Sequence, residues 1–113
     1  LGLDNAFLSS DHLPPGENNK EEWEKIYLKG YSKEWDFQAN IHIRKIGAKN
    51  YEYALLFRDF LRVNEEARLL YERFKKTLAS YIDNDRDAYC DIKDPVCDLI
   101  MMQARVWKSL TQK

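Results

Sequence analysis

The feature that most constrains this chain is a change in the period of its apolar residues near Gly47. In "FQANIHIRKIG", residues 37–47, Phe37, Ala39, Ile41 and Ile43 point one way and Gln38, Asn40, His42 and Arg44 the other, the alternation of a half-buried strand. Beyond Gly47 the period lengthens. From Tyr51 to Val63 apolar side chains recur at 53, 56, 57 and 60 and again at 51, 54, 55 and 61, leaving Glu52, Arg58, Asp59 and Arg62 as the polar interruptions of a helix. A chain that reads as strand before this point and helix after it is neither all-α nor all-β.

The flanking segments extend the pattern. Residues 1–10 read as a short element, and "SSDHLPPGENN" as a loop broken by Pro14, Pro15 and Gly16. "EEWEKIYLKGY" carries aromatic and aliphatic residues on both parities and reads as a strand over 21–29, antiparallel to a second strand over 37–46. Asn64 reads as an N-cap with Glu65 and Glu66 in the first turn, opening a helix with Ala67, Leu70, Tyr71, Phe74 and Leu78 on one stripe. "DNDRD" ends it. Asp94-Pro95 then reads as the start of a third helix whose stripe is Val96, Leu99, Ile100, Ala104 and Trp107, with Met101 and Met102 also in the core. Strands followed by three helices make an α+β layout with a mixed or antiparallel sheet.

Totals bound the function classes. At 113 residues and 44% hydrophobic there is material for a single domain, 1–113, burying roughly two-thirds of its unfolded surface. A net charge of -1 gives no general pull toward nucleic acid or an anionic membrane. No run of eighteen apolar residues and no signal peptide is present, so a cytoplasmic chain is expected. Cys90 and Cys97 lie seven apart without CxxC spacing, which fits reduced structural thiols rather than a zinc site, and no metal ligand set is expected. The start at Leu1, within "LGLDNAFLSS", reads like the tail of a preceding element, so an N-terminal portion is expected to be missing.

Three strings, "SDHLPPG", "NIHIRKIGAKNYEYALLFRDFLR" and "KDPVCDLIMMQARVWK", in this order and with a Trp-containing strand after the first, resemble the carboxy-terminal two-thirds of the GrpB family. The resemblance implies a nucleotidyltransferase-like fold in which an earlier part of the chain supplies a Gly-Ser turn and an acidic strand, holding phosphates on backbone amides and a divalent metal on carboxylates. It also implies an occurrence behind dephospho-CoA kinase, as a fused domain. This sequence departs from that pattern: no Gly-Ser pair occurs, and Asp83-Asn84-Asp85 falls in a loop rather than a strand. A divalent metal is therefore expected only if preceding chain supplies the carboxylates.

Two readings of the polar residues stand side by side. Asn40, His42 and Arg44 line up as donors for a phosphate or carboxylate, a role the resemblance favours, or they form an ordinary wet strand face. Arg58 and Arg62 reach the same ligand, or Arg58 pairs with a local acid such as Asp59. Asp11-His12 suits acid-base chemistry or a turn cap, and Trp23, Tyr27, Trp35, Tyr51 and Tyr53 suit base stacking or packing. The expected function is binding of a small anionic or nucleotide-like ligand through Asn40, His42, Arg44, Arg58 and Arg62. The alternative is a non-catalytic module that packs on a partner domain such as a kinase. A homodimer or a partner domain completes the expected assemblies.

Overall fold

The computed structural model describes residues 2–3, 6–34 and 36–111. Among these, strands β1 (Gly2–Leu3), β2 (Phe7–Ser10), β3 (Glu24–Ser32) and β4 (Phe37–Arg44) precede helices α1 (Lys49–Val63), α2 (Glu65–Tyr81) and α3 (Arg86–Thr111). The chain falls into two compact units, Leu1–Glu52 and Tyr53–Lys113.

The first unit is an antiparallel sheet three strands wide, with β3 in the middle. β4 pairs along one edge of β3 from Lys25↔Arg44 to Ser32↔Phe37. β1 and β2 share the other edge in succession, Leu3 opposite Gly30 and Phe7 opposite Tyr27. The parity of β4 follows its alternation, but the strand that precedes it is shifted from the sequence expectation. Residues 20–23 wind a 3-10 turn, closed by the Asn19 side chain accepting from the Glu21 N–H at 3.2 Å, so β3 begins at Glu24 and runs on to Ser32. The apolar side of β4 is also less covered than its pattern predicts: Ile41 is half-buried and Ile43 is 52% exposed. Gly47, at φ 86, makes the turn out of the sheet, a conformation that costs glycine little. The carboxylate of Glu22 then accepts the N–H of Lys49 at 3.0 Å, satisfying one donor and placing an anion at the positive start of α1.

The second unit is helical. Asn64 caps α2 as its position predicts, its side chain accepting the Ala67 N–H at 2.9 Å. α3 departs from expectation: it starts at Arg86, with the Asp85 side chain accepting from the Ala88 N–H at 3.0 Å, and Pro95 lies inside it. Proline there removes a helical N–H and disfavours helical backbone at Asp94, so the Asp-Pro signal reads as a start. The upstream Asp85 cap and the buried residues downstream carry the helix across it. The core joins Phe60 of α1 to Met101 and Ala104 of α3, packed by Leu56, Phe57, Leu61, Ile100 and Trp107. Met101 is 2% exposed and Met102 59%, and Leu99 is exposed while Cys97 is buried. The expected stripe is therefore rotated by about one residue, because α3 is apolar on two sides and periodicity alone does not say which faces inward.

Candidate functional site

The polar side of the sheet converges on one carboxylate. Register places Lys25 opposite Arg44 and Tyr27 opposite His42 on the same face. Asp11, held by its N–H to the Trp23 carbonyl at 2.8 Å, sits where both cations reach it. Lys25 Nζ donates to Oδ1 at 2.7 Å, and Arg44 donates from Nε to Oδ2 at 2.8 Å and from Nη2 to Oδ1 at 3.0 Å, a two-pronged fork. Asn50, from the first turn of α1, donates Nδ2–H to Asp11 Oδ2 and to the Glu24 carbonyl, both at 3.0 Å. Asn50 is 1% exposed, and its Oδ1 meets no donor among the described residues. Burial alone would raise the Asp11 pKa, but hydrogen bonds from Arg44 and Lys25, with the charges of both, outweigh it and bring the carboxyl down to about 2.

The residues beside this hub are also engaged within the sheet. Tyr27 Oη donates to Asn40 Oδ1 at 2.8 Å. The Tyr27 ring lies 5.2 Å from that of His42 and 5.4 Å from that of Phe7. Arg44 thus has an acid partner, and it is Asp11. Asp11, weighed above with His12 for acid-base work or a turn cap, serves as a counter-ion instead. Trp35 lies outside the described residues.

A different surface carries Arg58 and Arg62. In the helical unit, Phe57, Arg58, Leu61 and Arg62 of α1 and Arg68, Tyr71, Glu72 and Lys75 of α2 line a groove of about 580 Å³. The α2 residues fall at 68, 71, 72 and 75, one helical face. Arg58 pairs with its neighbour Asp59, Nη2 to Oδ1 at 2.8 Å, with both side chains about half exposed, so the local acid partner is present and the guanidinium still faces water. Arg68 Nη1 donates to the Leu61 and Arg62 carbonyls at 2.9 and 3.3 Å, satisfying the end of α1. Phe57 and Tyr71 meet edge to face at 5.3 Å, and Lys75 Nζ stands 4.7 Å from the Tyr71 ring centroid. Burial raises the Tyr71 pKa, so the phenol stays neutral. Burial likewise raises the Cys97 thiol, whose Sγ lies 3.4 Å from Tyr71 Oη, so this cysteine is packed and inert.

The family model for GrpB protein matches residues 3–103, nearly the whole chain. The chain belongs to the GrpB family. Over 57 residues, half of the chain, it is 39% identical to a dephospho-CoA kinase of Mycolicibacterium paratuberculosis, a match covering 14% of that protein. Over 66 residues, 58% of the chain, it is 37% identical to a UPF0157 protein of Streptomyces coelicolor, covering 36% of it. The matched segments are thus about one-seventh and one-third of the lengths of these curated relatives. No solved structure gives a significant match. Among the described residues of this GrpB domain, no three His, Cys, Asp or Glu side chains are grouped to hold a metal ion, and no helix is long and apolar enough to cross a membrane.

The five residues singled out in sequence thus divide between the units, Asn40, His42 and Arg44 in the first and Arg58 and Arg62 in the second. Arg68 and Lys75, which line the same groove as Arg58 and Arg62, are not among those five. Their signal was available: they sit seven apart on α2, on the side that also carries Tyr71. The hub around Asp11 had no such signal, because 33 residues separate it from Arg44.

Proposed function

We propose that this GrpB-family domain binds a small anionic ligand of nucleotide type in the groove between α1 and α2. The observation that carries the reading is charge: four cations, Arg58, Arg62, Arg68 and Lys75, line the groove with one carboxylate, Glu72, in a chain whose net charge is -1. Glu72 is moreover tied to Lys76 at 2.8 Å. Guanidinium groups match phosphate oxygens in pairs, and each such bond contributes roughly 1.5–3 kcal/mol where water is partly excluded. The Phe57–Tyr71 floor supplies an apolar surface for a base or sugar. Asn40, His42 and Arg44 are assigned in this reading to the sheet's own network, since their partners Tyr27 and Asp11 lie there. The proposal is of binding, without turnover. A nucleotidyltransferase-like reaction would need paired carboxylates and a phosphate-holding turn, and no Gly-Ser pair occurs in the 113 residues.

Calorimetric titration with ATP and with tripolyphosphate tests this directly. The expected result is saturable binding of both, weakened about tenfold or more by Arg62→Ala, an effect equal to ~1.4 kcal/mol, and unchanged by Arg44→Ala. Absence of heat at millimolar ligand overturns the proposal. Loss of binding in Arg44→Ala, with Arg62→Ala unaffected, moves the site to the sheet.

One observation favours a second reading, an accessory module carried beside a kinase: the matched segment within the mycobacterial dephospho-CoA kinase. Mixing the chain with a separately expressed kinase domain of that type tests it. A stoichiometric complex on a sizing column supports the module reading, and independent migration at tens of micromolar removes it.

A further inference from the structure

Two arginines of this chain meet their acceptors through different edges of the guanidinium. Arg44 grips Asp11 with Nε and Nη2, whose N–H groups lie parallel on one side of the plane, at 2.8 and 3.0 Å. Arg68 uses its other end. Its Nη1 donates to the carbonyls of Leu61 and Arg62 at 2.9 and 3.3 Å, two of the acceptors left over where α1 stops. Among the described residues no acceptor meets its Nε or Nη2, so the edge that holds Asp11 on Arg44 stands open on Arg68. Arg68 is exposed and lines the groove together with Arg62.

The open edge selects a ligand. A guanidinium already fixed by two carbonyls loses little further freedom when it takes an oxyanion, whereas a long side chain loose at its tip must be ordered by what it binds. A phosphoryl group at the end of a chain presents three acceptor oxygens. Two of them match the Nε and Nη2 edge of Arg68. The third is left for Arg62, the cation whose own carbonyl Arg68 holds. A phosphate substituted on both sides has no third oxygen and leaves Arg62 unmatched. Resting on the reading of this groove as an anion site, we propose that it takes a terminal phosphate group, gripped through two oxygens by Nε and Nη2 of Arg68 and through the third by Arg62.

Calorimetry on the whole chain with ATP, tripolyphosphate and diadenosine triphosphate, whose phosphates are all substituted on both sides, tests the ligand class. The first two should bind, and diadenosine triphosphate should bind at least tenfold more weakly. Arg68→Lys keeps the charge and a donor for the Leu61 carbonyl but has no parallel pair of N–H groups. It should unfold at the wild-type urea midpoint and bind ATP at least tenfold more weakly. In nitrogen-edited spectra of the unaltered chain, ATP should bring the Arg68 Nε–H into slow exchange with water, the resonance being assigned by its absence from Arg68→Lys. Diadenosine triphosphate that binds as tightly as ATP, or Arg68→Lys that binds ATP like the unaltered chain, overturns the proposal and leaves the groove an anion site if Arg62→Ala still weakens binding. No new Nε–H resonance at saturating ATP overturns it whatever the variant does. Absence of ATP binding to the unaltered chain overturns both this proposal and the groove reading beneath it.

Discussion

The two units handle positive charge in opposite ways. In the sheet, Lys25 and Arg44 sit largely buried and both donate to Asp11, with Asn50 as a third donor. In the helical pair, Arg58 and its partner Asp59 are about half exposed, and Arg62 and Arg68 stand on an open groove with one carboxylate among its lining residues. A cation buried against an acid belongs to the fold, because removing either partner leaves the other desolvated. A cation held at the rim of a groove contributes little to the fold and remains available to an anion from outside. Arg44 reads from sequence as part of a ligand row, yet its guanidinium is held by Asp11, whereas Arg58 and Arg62 are exposed.

The largest effect that separates the two regions is expected from Asp11→Ala. It leaves Lys25, Arg44 and Asn50 without their shared acceptor and should cost about 3–5 kcal/mol in urea unfolding. A loss below about 1 kcal/mol would show that the sheet cations are as loosely held as those of the groove. Next in size is the groove itself. Arg58→Ala with Arg62→Ala should weaken ATP binding by about a hundredfold, roughly 2.8 kcal/mol, while unfolding shifts by less than about 1 kcal/mol. Raising salt from 50 to 500 mM should weaken the same binding severalfold in the unaltered chain and leave the sheet network intact.

Acid reads the hub in a third way. The Asp11 carboxyl titrates at about 2 in the fold and at 3.8 when unfolded, so its contribution is complete above pH 4 and lost as pH falls toward 2. The unaltered chain should lose on the order of 1–2 kcal/mol across that window, and Asp11→Asn should lack that component of the loss. The smallest effect is expected from Ile43→Ala. With Ile43 half exposed, its truncation should cost under about 1 kcal/mol, and a loss of 2 kcal/mol or more would mean that this side of β4 is covered in solution.

What the sequence made legible follows from the range of each signal. The strand at β4, the Asn64 cap and the helical character beyond Gly47 are local, set by neighbours within four residues, and all are found, although Phe37 and Ile43 on the apolar side of β4 are exposed. The start of β3 is not legible locally, because Glu21, Glu22 and Trp23 suit a strand as well as the 3-10 turn they form. Pro95 is a strong local stop signal that the helix around it overrides. Met101 and Met102 are indistinguishable by type, and their fates were settled by which side of α3 meets Phe60. Asp11 joins residues from β3, β4 and α1, so its role appears only once register and the path of the Pro14-Pro15 loop are fixed.

Pro95 has a dynamic consequence. Lacking an N–H, it cannot return a bond to the Asp91 carbonyl, so the hydrogen-bond ladder of α3 is interrupted one-third of the way along its 26 residues. Opening from the Arg86 end therefore need not propagate past this point. Deuterium should enter the amides of residues 89–94 well before those of residues 100–107, which include Met101 and Ala104, the best-buried side chains of the unit. A single secondary-structure element would then unfold as two cooperative blocks.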